Sequence, residues 1–214
     1  MTDNQIQPPL VREAFPLIGP DETPVKTIVF GHAEWQTHIG GSFLGPEEKD
    51  GIAQNWVGLG RCWCILPNLK PGLDYVVRLE AAPLAPYGSE LQEITVLSHE
   101  GQPVCHRIFP VSTSSIAKFF QLQSDNKSFE FRWRRLDAPT LTVTANSLLM
   151  GRLVFQTRPD LQNFDLLLRR DLVQPNTILE FEPNYAISPL SLEDSADART
   201  ISFRFFRLLL FEVP

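Results

Sequence analysis

The chain has 214 residues, 43% of them hydrophobic and 15 of them Phe, with a formal net charge of −6. That composition supplies a core for one large all-β domain and excludes a disordered chain. No long basic tract appears, which argues against duplex nucleic acid and anionic membrane surfaces as partners, and no apolar run reaches the roughly 20 residues a bilayer span needs.

Residues 1–25 carry Pro8, Pro9, Pro16, Pro20 and Pro24 and read as an extended lead-in. The first residues (MTDNQIQPPLVREAF) are polar, with neither a basic nor an apolar signal region, and three Cys suit a reducing compartment; a cytoplasmic protein is expected. From residue 26 to 214 no linker or repeat divides the chain, so one domain is expected.

Val25–Phe30 is the first strand candidate. Leu73, Tyr75, Val77 and Leu79 alternate with Asp74, Arg78 and Glu80, the period of two of a half-buried strand. Ile94 and Val96 lead into a turn at 98–101, and 103–109 returns. Ile116–Leu122 is a further strand candidate, before a turn at 124–127. Phe129, Phe131 and Trp133 then alternate with Glu130, Arg132 and Arg134. Leu141–Ala145, Leu148–Gln156, Phe164–Leu168, Thr177–Glu182 and Ile201–Phe205 continue the series, and Leu208–Phe211 reads as a run buried on both faces. No segment shows a capped 3.6-residue period. The fold class read from this is all-β, a single antiparallel β-sandwich in jelly-roll style.

One stretch breaks the pattern. Ile39–Pro67 opens with Gly40-Gly41, carries Gly45-Pro46-Glu47-Glu48, and reads as a long shaped loop ending in the strand Arg61–Leu66. Trp35 and Trp56 with Glu47 offer an indole face for a sugar ring and an acceptor for its hydroxyls; a plug closing the end of the sandwich is the alternative.

Other chemistry finds less support. Cys62 and Cys64 lie two apart on a strand, roughly 6.5–7 Å between Cα atoms, too far for a bridge. With Cys105 and His106 they match no zinc spacing, so no metal and no cofactor is expected. His32, His38, His99 and His106 have no nucleophile elbow beside them, so no catalytic residue is assigned. Glu34, Glu47, Glu48 and Asp50 supply carboxylates for a hydrolase, but abundance is not geometry. Arg132, Trp133, Arg134 and Arg135 could stack on a base, yet no RNA-binding signature surrounds them. Gly58-Leu59-Gly60 reads as a turn, without a dinucleotide fingerprint.

Gly41–Trp56 (GSFLGPEEKDGIAQNW) followed by Cys62–Leu66 resembles the opening of bacterial β-sandwich modules associated with glycosyltransferases and polysaccharide synthesis. Asn176–Phe203 (NTILEFEPNYAISPLSLEDSADARTISF) is similar to their closing pattern. The resemblance spans about residues 31–212, with Asn55 in place of an Arg before the Trp. It implies a jelly-roll accessory module without catalytic residues, whose motif positions here are Glu47, Trp56, Asp197 and Arg199. It further implies that Asp197 and Arg199 pin the last loop to the sandwich. The expected function is non-catalytic carbohydrate binding or glycan assembly, with a glycan or a glycosyltransferase as partner. The alternative is a protein-interaction module that docks on such an enzyme or self-associates.

Overall fold

The computed structural model describes residues 18–19, 21–84, 91–97, 103–110, 130–135, 138–157, 160–187, 189 and 197–213; for 91–97, 103–110 and 130–135 it describes the backbone alone. The strand candidate at 116–122, both turns at 98–101 and 124–127, and nearly all of the lead-in lie outside these residues.

The described strands are β1 (Lys26–Val29), β2 (Ile39–Lys49), β3 (Ile52–Pro67), β4 (Asp74–Pro83), β5 (Leu91–Leu97), β6 (Pro103–Pro110) and β7 (Glu130–Arg135). They continue with β8 (Thr140–Ala145), β9 (Leu148–Val154), β10 (Gln162–Leu168), β11 (Asn176–Pro183) and β12 (Ile201–Val213). Every pairing between them is antiparallel. The all-β reading therefore holds, and no α-helix occurs among the described residues.

Nine strands form one ladder in the order β10-β4-β12-β3-β11-β8-β9, with β1 added on β12 and β2 on β3. The ladder becomes two layers because β3 changes partner along its 16 residues. Asn55–Gly58 pairs with β12, whereas Cys62–Pro67 pairs with β11. Gly60, at φ +103°, sits between the two halves in a conformation that favours glycine. The first layer is thus β10-β4-β12 with the front of β3. The second is the back of β3 with β11-β8-β9, and β2 follows β3 through both.

The inward faces meet through aromatic rings. Phe181 of β11 stands edge-on to Phe205 of β12 at 5.1 Å, and Phe205 also meets Phe30 and Phe43. Phe155, just past β9, touches Phe164 of β10 and Phe203 of β12, bringing the two ends of the ladder together. Phe30, Phe155, Phe181, Phe203 and Phe205 are all essentially fully buried, each worth about 1.5–3 kcal/mol of transfer free energy. A register shift between Phe205 and Arg207 lets two consecutive Phe be buried where strict alternation allows one. Leu208, Leu210 and Phe211 are buried and Leu209 half-buried, close to the run expected from the sequence.

A separate sheet, β6-β5-β7, lies in the chain between β4 and β8. The Phe129–Arg135 alternation falls largely on its strand β7.

The strand expected at Arg61–Leu66 is the back of β3, but the structure corrects the reading of the residues before it, from Ile39, as a loop. Ile39–Pro67 is a long hairpin, β2 and β3 joined by Asp50-Gly51 with φ of 54° and 75°, as a two-residue type I′ turn requires. Pro46 fits because, among the described residues, β2 pairs on one side only. Gly58-Leu59-Gly60, expected as a turn, is continuous strand at the bend of β3.

Candidate functional site

β3 alternates inward Asn55 and Val57 with outward Trp56, and β12 lays Arg204 directly opposite Trp56. The Arg204 guanidinium lies over the Trp56 ring at 5.4 Å and over Phe206 at 5.5 Å. Its burial pulls its pKa down, though a guanidinium remains charged throughout the ordinary range. The indole edge is fixed as well, since Trp56 Nε1 donates to Glu47 Oε2 at 2.9 Å. One face and the polar edge of a half-buried ring are therefore held in place.

Glu47 is the hinge of the arrangement. Its second oxygen accepts from Arg199 Nη1 at 2.5 Å, across 152 positions of sequence. Arg199 in turn donates Nε and Nη2 to Asp197 at 3.0 and 2.7 Å, and its backbone N–H also reaches Asp197 Oδ1. The Arg199 hydrogen bonds hold the Asp197 carboxyl below the usual carboxylate range, while the Asp197 and Glu47 carboxylates push Arg199 up. Trp56, Glu47, Arg199 and Asp197 form one connected chain tying residues 197–199 to the β2–β3 hairpin.

Trp35 stands elsewhere. It ends the 3-10 turn Ala33–Trp35, packs partly buried against the core, and meets the His38 ring at 5.4 Å. Its indole nitrogen is shielded and makes no hydrogen bond. Like Trp56 it is half-buried, and its ring packs on His38 rather than on the group around Glu47.

Asn55, which stands where the resembled modules carry Arg, has a local role here. Fully buried, it accepts at Oδ1 from the Gly31 N–H (2.5 Å) and donates from Nδ2 to Leu44 O (2.6 Å). At Gly31, φ is +92° and a Cβ would lie 2.5 Å from the Gln54 nitrogen, so only glycine lets the chain pass here. The arginine paired with Glu47 is Arg199, 152 positions further along the chain.

The other candidate groups do not converge. Glu47 is engaged by Trp56 and Arg199 rather than by His32 or His38, and Glu34, Glu48 and Asp50 are exposed. Cys62 and Cys64 are unbridged and buried among core residues; burial pushes Cys62 up and Cys64 up to about 12, which suits inert thiols. Cys105 and His106 lie on β6, whose side chains are outside the described residues. Sequence reasoning missed Arg204 as a partner of Trp56; only the β12–β3 register reveals it.

No family model matches the chain, and no curated protein matches it. Among solved structures it is similar to one described as "CBM4 structure and function", at TM-score 0.32 and 10% identity, covering 87% of this chain and 86% of that one. It is also similar to "A novel family GH115 4-O-Methyl-alpha-glucuronidase, BtGH115A, with specificity for decorated arabinogalactans", at TM-score 0.30 and 10% identity. That match covers 94% of this chain but 19% of the other, so the chain spans about a fifth of that enzyme's length. At this level of similarity, function rests on the chain's own geometry.

Proposed function

We propose that this chain is a non-catalytic module that binds an uncharged glycan over Trp56. The observation that carries the reading is the fixed indole: a half-buried ring with its edge on Glu47 and one face on Arg204, the Glu47 carboxylate in turn held by Arg199 and its partner Asp197. A sugar ring stacks its C–H face on such a surface. Carboxylates accept its hydroxyl protons, and a guanidinium donates to its oxygens. Because the polar groups are already oriented by one another, binding need not order them. Charge balance favours a neutral ligand, with Glu47 and Asp197 set against Arg199 and Arg204 in a chain of net charge −6. Glycoside cleavage needs one carboxyl to be a proton donor, and Asp197, held ionised by Arg199, is unsuited to that role. Association with a glycosyltransferase rests on the sequence resemblance alone, and a cytoplasmic setting on the polar first residues and the three Cys; both belong to the same proposal.

The test is calorimetric titration with cellohexaose, xylohexaose, laminarihexaose and mannohexaose, using the wild type, Trp56→Ala and Trp35→Ala. A tenfold or greater loss of affinity is expected for folded Trp56→Ala, and little change for Trp35→Ala. Unaltered binding by folded Trp56→Ala, or no binding of any of the four sugars at millimolar concentration, would sink the reading.

The second reading, a protein-docking module, draws on β9. There Leu148, Leu149 and Val154 are each more than half exposed. Self-association reversed by Leu149→Glu, measured by sedimentation, would favour it.

A further inference from the structure

The back half of β3 carries an indole of its own, on the outside of the other layer. Gly40 on β2, Trp63 on β3, Glu180 on β11 and Thr144 on β8 are successive cross-strand partners. Their neighbours Cys62, Cys64, Leu179, Phe181, Val143 and Ala145 are buried in the core, so this row faces away from it. At Gly40 a Cβ would lie 2.3, 2.7 and 2.9 Å from Cζ2, Cε2 and Cη2 of Trp63. The six-membered ring thus occupies the space a side chain at position 40 would fill, and the indole lies across β2 while remaining partly exposed.

The groups beside it are also held. Glu180 Oε2 accepts from Thr144 Oγ1 at 3.0 Å, and its other oxygen accepts from Arg61 Nη1 at 3.4 Å. Arg61 Nη2 reaches Glu182 at 3.3 Å. A carboxylate has about four acceptor sites, so Glu180 keeps capacity for further donors. Core packing does not call for these outward groups, and glycine within a strand costs roughly 0.5–1 kcal/mol relative to alanine.

We infer that this face is a second glycan site, taking the same uncharged class of sugar chain, with Trp63 as the stacking surface and Glu180 as hydroxyl acceptor. Glu180 and Glu182 stand against Arg61 and, across Thr142, Arg152, so the charges on this face balance and favour an uncharged chain. The site shares its ligand class with the proposal above but none of its residues. Trp56 and Trp63 point out of opposite layers, so each half of β3 presents one platform and the module is bivalent toward glycan chains.

The experiment is the same titration, read for stoichiometry. Two hexasaccharides per chain are expected for the wild type, one for Trp63→Ala, one for Trp56→Ala and none for the double variant. Gly40→Val keeps the indole but drives it off β2, and is expected to weaken one of the two sites at least tenfold. Glu180→Gln, which preserves size, guards against a folding defect and is expected to weaken the same site severalfold. One sugar bound per wild-type chain, with folded Trp63→Ala and Glu180→Gln indistinguishable from it, overturns the inference and leaves the Trp56 proposal intact. Binding abolished by Trp63→Ala and untouched by Trp56→Ala overturns that proposal instead and supports this site. No hexasaccharide bound at all overturns both.

Discussion

The two halves of β3 hold their tryptophans by opposite means. Trp56 is fixed by charge brought from afar, through Glu47 on the paired strand, Arg204 on β12, and Arg199 acting through Glu47 from 152 positions away. Trp63 is fixed by an absence, the missing side chain of Gly40 one strand over. The first device depends on side chains that reorient and are screened by salt, the second on backbone that cannot move without breaking the ladder. One face is therefore adjustable by single polar substitutions, whereas the other is sensitive to the smallest gain in bulk.

Mutations that ignore this difference should do the most damage. Phe205→Ala removes a ring that touches Phe30, Phe43 and Phe181 between the layers, and a loss of about 3–5 kcal/mol is expected in chemical denaturation. Gly41→Ala comes next. With φ at +74° and a Cβ 2.5 Å from the Arg61 carbonyl oxygen, it should cost about 2–3 kcal/mol and loosen β2 beside Trp63 while leaving Trp56 near its place. Asn55→Ala strips the Gly31 N–H of its acceptor, for an expected loss of about 1–3 kcal/mol.

Smaller effects separate the faces more finely. Glu47→Gln keeps an acceptor for the Trp56 indole but discharges the partner of Arg199. Both side chains are about a third or more exposed, so the loss should stay below about 1 kcal/mol and vanish in high salt, with Trp63 fluorescence unchanged. The smallest signal is a titration. Asp197 is expected to protonate below the ordinary carboxylate range in the wild type and to return toward it in Arg199→Leu, as followed by carboxyl NMR. Because its folded pKa is depressed, its contribution to stability is present above the unfolded value and is lost as pH falls through the folded one. A normal Asp197 titration in the wild type would show that the bridge does not persist in solution.

Much of the strand pattern was legible because burial on one face writes a period of two into stretches such as Leu141–Ala145 and Thr177–Glu182, whereas β4, expected to be half-buried, buries Val76 and Glu80 on its other face as well. The β2–β3 hairpin was not legible, because Gly40, Gly41, Gly45, Pro46, Glu47 and Glu48 are loop residues by propensity. Register shifts at Gly41–Phe43 and Phe43–Pro46, and an edge position that tolerates proline, override that propensity. The Asp50-Gly51 pair was the available signal, a two-residue hairpin turn in plain view. At the site, residue types pointed to Trp56 and Glu47, but which arginine meets Glu47 is a matter of topology that spacing cannot encode. Trp35 looked equivalent to Trp56, and both rings are indeed half-buried; what separates them is their polar partners, which a sequence does not state.

The placement of β12 has a consequence for how the chain is made. Its 13 residues pair with β1, β3 and β4, so the strand that follows all the other described strands in sequence occupies the middle of the main ladder. While residues 201–213 remain within the ribosome, β3 and β4 are emerged neighbours with an open slot between them, unpaired edges facing solvent. The ladder cannot close before residues 201–213 emerge, and until then its exposed edges must be kept from other chains.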